Sequence, residues 1–172
     1  MEFVQTKNTN LRRLRSDDLE KMRQLESDPL VMKFTSARRI QTEEQSKFRL
    51  GAQIAKQPSW EPFGIWLAEK KSDRSLVGWF MLIPEEFEQL ELGFMLVRSY
   101  WGQGFATEIG HALIDYAFSH EAIKSLMATA TPNNAASIRV LEKLGFRYIK
   151  NTFVDDKESE GRVDLRLFAI YK

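Results

Sequence analysis

The chain has 172 residues, a formal net charge of +1 and a hydrophobic fraction of 43%, values typical of one soluble globular domain. A charge balance this close to zero excludes a global field that would attract nucleic acid or an anionic membrane. No stretch approaches the roughly 20 apolar residues of a membrane helix. We therefore expect no nucleic-acid partner and no membrane partner.

The sequence has no cysteine and two histidines, His111 and His120. Without cysteine there is no thiolate nucleophile and no zinc–thiolate site, and two histidines argue against a His-rich metal site, so we predict no metal. We interpret His111 as a helix-surface residue and His120 as a structural residue near a helix end. The lack of cysteine and of a signal-peptide pattern favours a cytoplasmic location.

The first predicted elements are a strand at 11–15 and a short helix with Ser16 as its N-cap. Thr42 and Gln45 form a capping-box pattern, which predicts a second helix running toward Lys56. From Phe63 onward, apolar residues recur at every second position, which predicts three strands. Their connections are short and polar, so we expect the strands to pair antiparallel. These strands are predicted at 63–69, 75–82 and 90–96.

The second half of the chain alternates strands and helices. A glycine-rich loop at 100–106 precedes a helix that ends near Ser119. A strand, a helix ended by Gly145 and two closing strands follow, at 125–131, 134–144, 146–153 and 163–170. This order predicts an α/β fold, in which one mixed, largely antiparallel sheet carries helices on both faces. We predict a single domain over 1–172.

The loop places small residues at alternate positions, Gly102, Gly104 and Ala106. Such residues let the backbone turn tightly and expose successive N–H groups at a helix N-terminus, where phosphate binds. Taken alone, the pattern also fits a tight strand-to-helix turn without a ligand. It is not the dinucleotide fingerprint, which needs a further glycine and an early βαβ unit.

A second pattern covers 133–146. Asn134 can cap a helix, Ser137 lies one turn inside it, and the apolar residues have helical spacing. Capping explains Asn134 and Gly145 structurally. It does not explain why both patterns occur in this order and at this spacing.

The two patterns together closely resemble the GNAT superfamily of N-acetyltransferases, and within it the ribosomal-protein N-terminal acetyltransferase-like subgroup. The segments that carry the resemblance lie along nearly the whole chain, at 11–18, 91–94, 100–108 and 134–146. The resemblance implies a sheet of about seven strands that splays open between the strand ending near Leu96 and the strand at 125–131. It also implies acetyl-CoA as cosubstrate, whose pantetheine arm pairs with the free strand edge.

The resemblance further implies the residues that bind acetyl-CoA. Backbone groups of Leu96 and Val97 and the amide of Asn134 would contact the pantetheine arm. The pyrophosphate would bind at the loop and helix start, at Gly102, Gln103, Gly104, Phe105, Ala106 and Thr107. Some positions depart from the wider superfamily: Trp101 replaces Arg or Gln, Gln103 replaces Lys or Arg, and Leu141 stands where many relatives have a tyrosine acid.

Glu91 and Ser137 are the candidate catalytic residues. Glu91 would act as the general base, through water, and Ser137 would protonate the leaving thiolate. A backbone N–H near Leu96 or Val97 would stabilise the oxyanion. Glu91 equally fits an exposed strand residue that alternates with leucines, and Ser137 fits a helix serine bonded to a carbonyl one turn back.

The acceptor amine is not specified by any motif. Two acidic loops would favour a cationic acceptor if they formed the mouth of its site, although they also fit solvated hairpin tips. Aromatic side chains could line an acceptor pocket or belong to the core. The loops contain Glu85, Glu86, Glu88, Asp155, Asp156, Glu158 and Glu160, and the aromatic residues are Phe34, Trp60, Trp66 and Trp79.

The leading hypothesis is an N-acetyltransferase that moves the acetyl group of acetyl-CoA to a primary amine by direct attack in a ternary complex. The amine would be a protein N-terminal α-amine or a small-molecule amine, and similar proteins are commonly homodimers. The alternative is a catalytically silent acyl-CoA-binding sensor or interaction module. A nucleotide-binding regulator is a third hypothesis, and the absence of a lysine after the glycines argues against it.

Overall fold

A computed structural model of the chain describes residues 4–35, 38–84, 89–156 and 161–172. Its strands form one seven-stranded sheet in the order β1-β2-β3-β4-β5-β7-β6. Neighbouring strands are antiparallel except for β4 and β5, which are parallel. The strands are β1 (Thr9–Arg13), β2 (Gly64–Lys70), β3 (Leu76–Pro84), β4 (Gln89–Leu96), β5 (Ser125–Ala130), β6 (Arg147–Asp156) and β7 (Gly161–Tyr171). The predicted α/β class and the mixed, largely antiparallel sheet are confirmed.

Helices cover both faces of this sheet, as predicted. They are α1 (Leu19–Glu26), α2 (Pro29–Met32), α3 (Glu43–Trp60), α4 (Phe105–Ser119) and α5 (Ala135–Lys143). Successive residues of β2 alternate between two buried clusters, because neighbouring side chains of a strand point to opposite faces. Trp66 packs with side chains of α4 and α5, whereas Ile65 and Leu67 pack with side chains of α1, α2 and α3.

The sheet opens between β4 and β5. Their parallel pairing covers Gln89–Glu91 against Ser125–Met127 and then stops. Beyond that point β4 remains paired with β3 as far as Leu96, and β5 remains paired with β7 as far as Ala130. The two strands therefore diverge toward the loop that precedes α4, which is the predicted splay.

The start of α1 differs from the prediction, because Asp18 and not Ser16 is its N-cap. The Asp18 carboxylate accepts a hydrogen bond from the Arg15 backbone N–H at 2.8 Å and pairs with the Arg12 guanidinium at 2.6 Å. Arg12 also pairs with Glu69 on β2 at 2.8 Å. Burial raises the pKa values of Asp18 and Glu69, but hydrogen bonds outweigh it and hold both pKa values below their ordinary range. Arg12 and the Arg15 N–H donate to Asp18, and Lys21 and Arg12 donate to Glu69. This network ties α1 to the first two strands.

The capping box predicted for α3 is confirmed. The Thr42 hydroxyl accepts from the Gln45 N–H at 3.2 Å, and the Gln45 side chain accepts from the Thr42 N–H at 2.8 Å. The helix extends past the predicted end at Lys56 to Trp60, with Pro58 inside it. The short helix α2 was not predicted; it starts at Pro29, and the Asp28 side chain caps it by accepting from the Leu30 N–H at 2.9 Å.

Candidate active site

The open edge of β4 begins where its pairing with β5 ends. The Val97 N–H donates to the Val77 carbonyl at 2.9 Å, and the Val97 carbonyl accepts from the Tyr100 N–H at 2.9 Å. Backbone groups of successive residues point to opposite edges of a strand, so Phe94 and Leu96 direct theirs toward the split. Leu96 therefore lies where the sequence suggested, but Val97 already uses both of its backbone groups within the fold. Phe94 holds the second position on the open edge.

The glycine loop forms a set of unused backbone donors. Gly102 and Gly104 have φ values of +72° and +86°, a left-handed conformation that favours glycine. Within the described chain, the N–H groups of residues 103–107 donate no hydrogen bond, and the Glu108 N–H is the first to bond back, to the Gly104 carbonyl at 2.9 Å. A helix N-terminus with free N–H groups attracts anions.

Two side chains of the loop region fold back onto the backbone. The indole N–H of Trp101 donates to the Leu96 carbonyl at 2.9 Å, while 42% of the residue stays exposed. The Gln103 amide donates to the Ser99 carbonyl at 2.6 Å. Phe105 packs edge-on against Tyr100 with ring centroids 5.4 Å apart, so it anchors the helix start to the core.

The N-terminus of α5 forms the opposite wall of the split. The Asn134 side-chain oxygen accepts from the Ser137 N–H at 3.1 Å and so caps the helix. This leaves the amide nitrogen of Asn134 available as a donor. The Ser137 hydroxyl has no hydrogen-bond partner among the described residues, so the alternative of a bond to a carbonyl one turn back is not observed.

A cavity of about 240 Å³ joins these features. Six of the predicted cosubstrate-binding residues line it, namely Leu96, Gly102, Gly104, Ala106, Thr107 and Asn134. Val97, Gln103 and Phe105 do not line it, although the N–H groups of Gln103 and Phe105 belong to the unused donors. The rest of the lining is Val31, Phe34, Thr35, Phe94, Met95, Tyr100, Trp101, Ala136, Ser137, Val140 and Lys143. Sequence reasoning missed Phe94, which its two-residue spacing from Leu96 could have indicated, and Lys143, for which no signal existed.

Residues 8–147 match the family model of the acetyltransferase (GNAT) domain. The chain belongs to the GNAT acetyltransferase family. The predicted family and the predicted acyltransferase class are thereby confirmed.

Relatives and solved structures agree with this membership. The chain is 28% identical to the uncharacterized N-acetyltransferase p20 of Bacillus licheniformis, over 100% of this chain and 97% of that one. It spans about half the length of several other curated relatives that it matches. Its fold is similar to that of a GNAT-family acetyltransferase from Bacillus anthracis, with a TM-score of 0.82 and 23% identity over 99% of this chain and 98% of that one.

A second solved structure with this fold contains coenzyme A. It is RimL, a ribosomal L7/L12 α-N-protein acetyltransferase in complex with coenzyme A. The TM-score is 0.80 and the identity 16%, over 99% of this chain and 98% of that one. At this identity the similarity concerns the GNAT fold alone.

The two candidate catalytic residues occupy different parts of this GNAT domain. Ser137 lines the cavity, whereas Glu91 lies outside its lining, where the pairing of β4 with β5 ends. The Thr129 hydroxyl donates to the Glu91 carboxylate at 3.4 Å. Leu90 and Leu92 are buried with α4 and α5, so Glu91 faces the other side of the sheet. The structure therefore does not bring Glu91 and Ser137 into one cavity wall.

The predicted aromatic lining is only partly present. Phe34 lines the cavity, whereas Trp66 is 2% exposed and stacks under the Arg13 guanidinium, 4.3 Å from the ring centroid. Trp60 and Trp79 pack against the cluster under α1, α2 and α3. These three tryptophans thus belong to the core and its margin.

Most residues of the two predicted acidic loops lie outside the described residues. These are Glu85, Glu86, Glu88, Glu158 and Glu160. Asp155 is exposed at the end of β6. His111 is exposed on α4, and His120 packs edge-on against Phe63 at 4.9 Å, so both histidines have the structural roles assigned to them.

In the same described residues, no group of three or more His, Cys, Asp or Glu side chains is arranged to hold a metal ion. No helix there is both long and apolar enough to cross a membrane.

Proposed function

We propose that this GNAT enzyme transfers the acetyl group of acetyl-CoA to a primary amine by direct attack in a ternary complex. The observation that carries the proposal is the single cavity that joins the open edge of β4, the unused N–H groups of the glycine loop and the N-terminus of α5. A pyrophosphate needs convergent N–H donors, and the two amides of a pantetheine arm need an unpaired strand edge. The cavity offers both within one continuous wall.

The donor set of the chain fits acetyl-CoA group by group. The N–H groups of residues 103–107 would bind the pyrophosphate, and Gly102 and Gly104 would let it approach the backbone. Backbone groups of Phe94 would pair with the pantetheine amides, together with the Leu96 carbonyl, which keeps a second lone pair beside its bond from Trp101. The Asn134 amide would be a further donor. RimL, which shares the fold, has been solved in complex with coenzyme A, and this supports coenzyme A as the type of ligand.

The proposed chemistry requires one proton acceptor and one proton donor. Glu91, acting through water, accepts a proton from the acceptor ammonium, and the neutral amine attacks the thioester carbonyl. The Leu96 N–H, on the open edge, is the proposed oxyanion donor. The carbon–nitrogen bond forms, the amide nitrogen loses its second proton to solvent, and the carbon–sulfur bond breaks. The thiolate takes a proton from the Ser137 hydroxyl, which water restores.

The position of Glu91 favours an acceptor that needs little help to lose its proton. Deprotonation at pH 7 costs about 1 kcal/mol for an α-amine and about 4 to 5 kcal/mol for lysine, from pKa values near 8 and 10.4. A base outside the cavity that acts through water suits the α-amine better. We therefore propose a protein N-terminal α-amine or a small amine of similar pKa as acceptor, which agrees with the α-N-protein activity in the name of RimL.

The test is a panel of amine acceptors incubated with acetyl-CoA. The panel contains peptides with free α-amines, the same peptides with blocked α-amines and an added lysine, and small amines of graded pKa. Release of coenzyme A is followed with a thiol reagent, which has no background because the chain has no cysteine. Mass spectrometry identifies the acetylated product. Acetylation of free α-amines supports the proposal, and acetylation restricted to lysine side chains contradicts the assigned acceptor.

A further inference from the structure

The cavity wall carries one charged side chain among the described residues, Lys143. This lysine takes part in none of the ion pairs of the described chain. It is the last residue of α5, where a cation is favourable toward the helix dipole in any protein. A favourable interaction with the helix dipole explains a lysine at the end of α5, but it does not explain why this lysine lines the cavity.

Lys143 lines the same cavity as Gly104, Ala106 and Thr107, and the end of α5 that carries it packs on α4. Leu144, the next residue, lies against Gly110 of α4 so closely that a Cβ at Gly110 would be 2.5 Å from Leu144 Cδ1. Gly110 is five residues after Phe105, the first residue of α4, which corresponds to about 7.5 Å along a helix axis. The end of α5 is thus fixed within about one and a half turns of the anion-binding end of α4.

The glycine loop itself supplies no cation. Gln103, the polar side chain between the two glycines, is neutral, and its amide donates to the Ser99 carbonyl at 2.6 Å. The donors at residues 103–107 are neutral N–H groups, yet the pyrophosphate of acetyl-CoA carries two negative charges. A charge-assisted contact to phosphate is roughly twice as strong as a neutral one.

We infer that Lys143 is the cationic contact for the pyrophosphate in this enzyme, delivered by α5 instead of by the glycine loop. The inference rests on the proposed function, because it takes acetyl-CoA as the ligand of the cavity. The pyrophosphate is favoured over the 3′-phosphate because Lys143 shares one cavity with Gly102 and Gly104.

The test is calorimetric titration of the 172-residue chain with acetyl-CoA and with 3′-dephospho-acetyl-CoA. The variants are Lys143→Met, Lys143→Arg and a control, Arg139→Met, which removes a cation from an exposed position of the same helix outside the cavity lining. We expect Lys143→Met to weaken both ligands equally, by about 3- to 30-fold. Lys143→Arg should keep most of the affinity, and Arg139→Met should bind like the parent.

The outcomes separate the inference from the function on which it rests. A loss confined to acetyl-CoA, with 3′-dephospho-acetyl-CoA unaffected, would assign Lys143 to the 3′-phosphate and overturn the inference. Equal affinities of Lys143→Met and the parent would also overturn it and leave the proposed function intact. A parent chain that binds neither ligand would overturn the proposed function itself.

Discussion

Gly104 allows the anion-binding role of the loop to be tested by charge alone. Its φ of +86° places any other residue in the left-handed region, yet a Cβ there would meet no atom within 4 Å. Gly104→Gln and Gly104→Glu therefore carry the same backbone penalty, about 1 to 2 kcal/mol, without steric clash. The two variants differ only in whether the new side chain is charged.

The expected difference follows from Coulomb's law. A carboxylate about 5 Å from one phosphate charge is repelled by about 1 to 3 kcal/mol for effective dielectric constants between 80 and 20. We therefore expect Gly104→Glu to bind acetyl-CoA about 5- to 150-fold more weakly than Gly104→Gln. The difference should shrink in 1 M salt, where the screening length falls to about 3 Å.

The assay is calorimetric titration with acetyl-CoA at low and high salt, with circular dichroism to confirm that both variants are folded. Equal affinity of the Glu and Gln variants at low salt would show that no phosphate lies beside Gly104. The placement of the pyrophosphate at the loop would then be wrong, whatever the enzyme acetylates.

Three further predictions concern catalysis and stability. Ser137→Ala and Glu91→Gln should each lower kcat by about 10²-fold or more in steady-state assays with little change in acetyl-CoA affinity; near-parental kcat in both would remove them from the mechanism. The pKa of Asp18 is lowered in the folded chain, so the ionised carboxylate stabilises the fold. This contribution should be complete above about pH 4 to 5 and lost as the pH falls through the folded pKa. The urea midpoint of Asp18→Asn should therefore depend less on pH than that of the parent. Thr42→Ala should lower the free energy of unfolding by about 1 kcal/mol and Thr42→Ser by much less, and equal urea midpoints for the two would contradict the role of the cap.

The sequence allows the fold to be predicted where the determinants are local. The capping box at Thr42, the alternation of apolar residues along the strands and the spacing of the loop glycines each act over a few residues. Ser16 is the counterexample. The N-cap residue of α1 is Asp18, whose carboxylate pairs with Arg12, and Arg12 pairs in turn with Glu69 on a strand more than fifty residues away.

The candidate site also combines residues that local motifs predict with residues that only tertiary packing places. The glycine loop and Asn134 are recognisable because their motifs are contiguous. The orientation of Val97 depends on its bond to Val77 in a neighbouring strand, which no local pattern encodes. Lys143 lines the cavity, and the end of α5 that carries it packs closely on α4 at Gly110, which is a property of tertiary packing.

In the proposed complex, acetyl-CoA occupies the split between β4 and β5 and binds the chain through its backbone. Amide hydrogen exchange followed by NMR, with and without acetyl-CoA, tests this residue by residue. We expect strong slowing at Leu96 and at residues 103–107, whose N–H groups face the cavity or lack an acceptor. Val97 should change little, because its N–H is already bonded to the Val77 carbonyl at 2.9 Å. Slowing confined to other parts of the chain, with Leu96 and the loop unchanged, would contradict the claim.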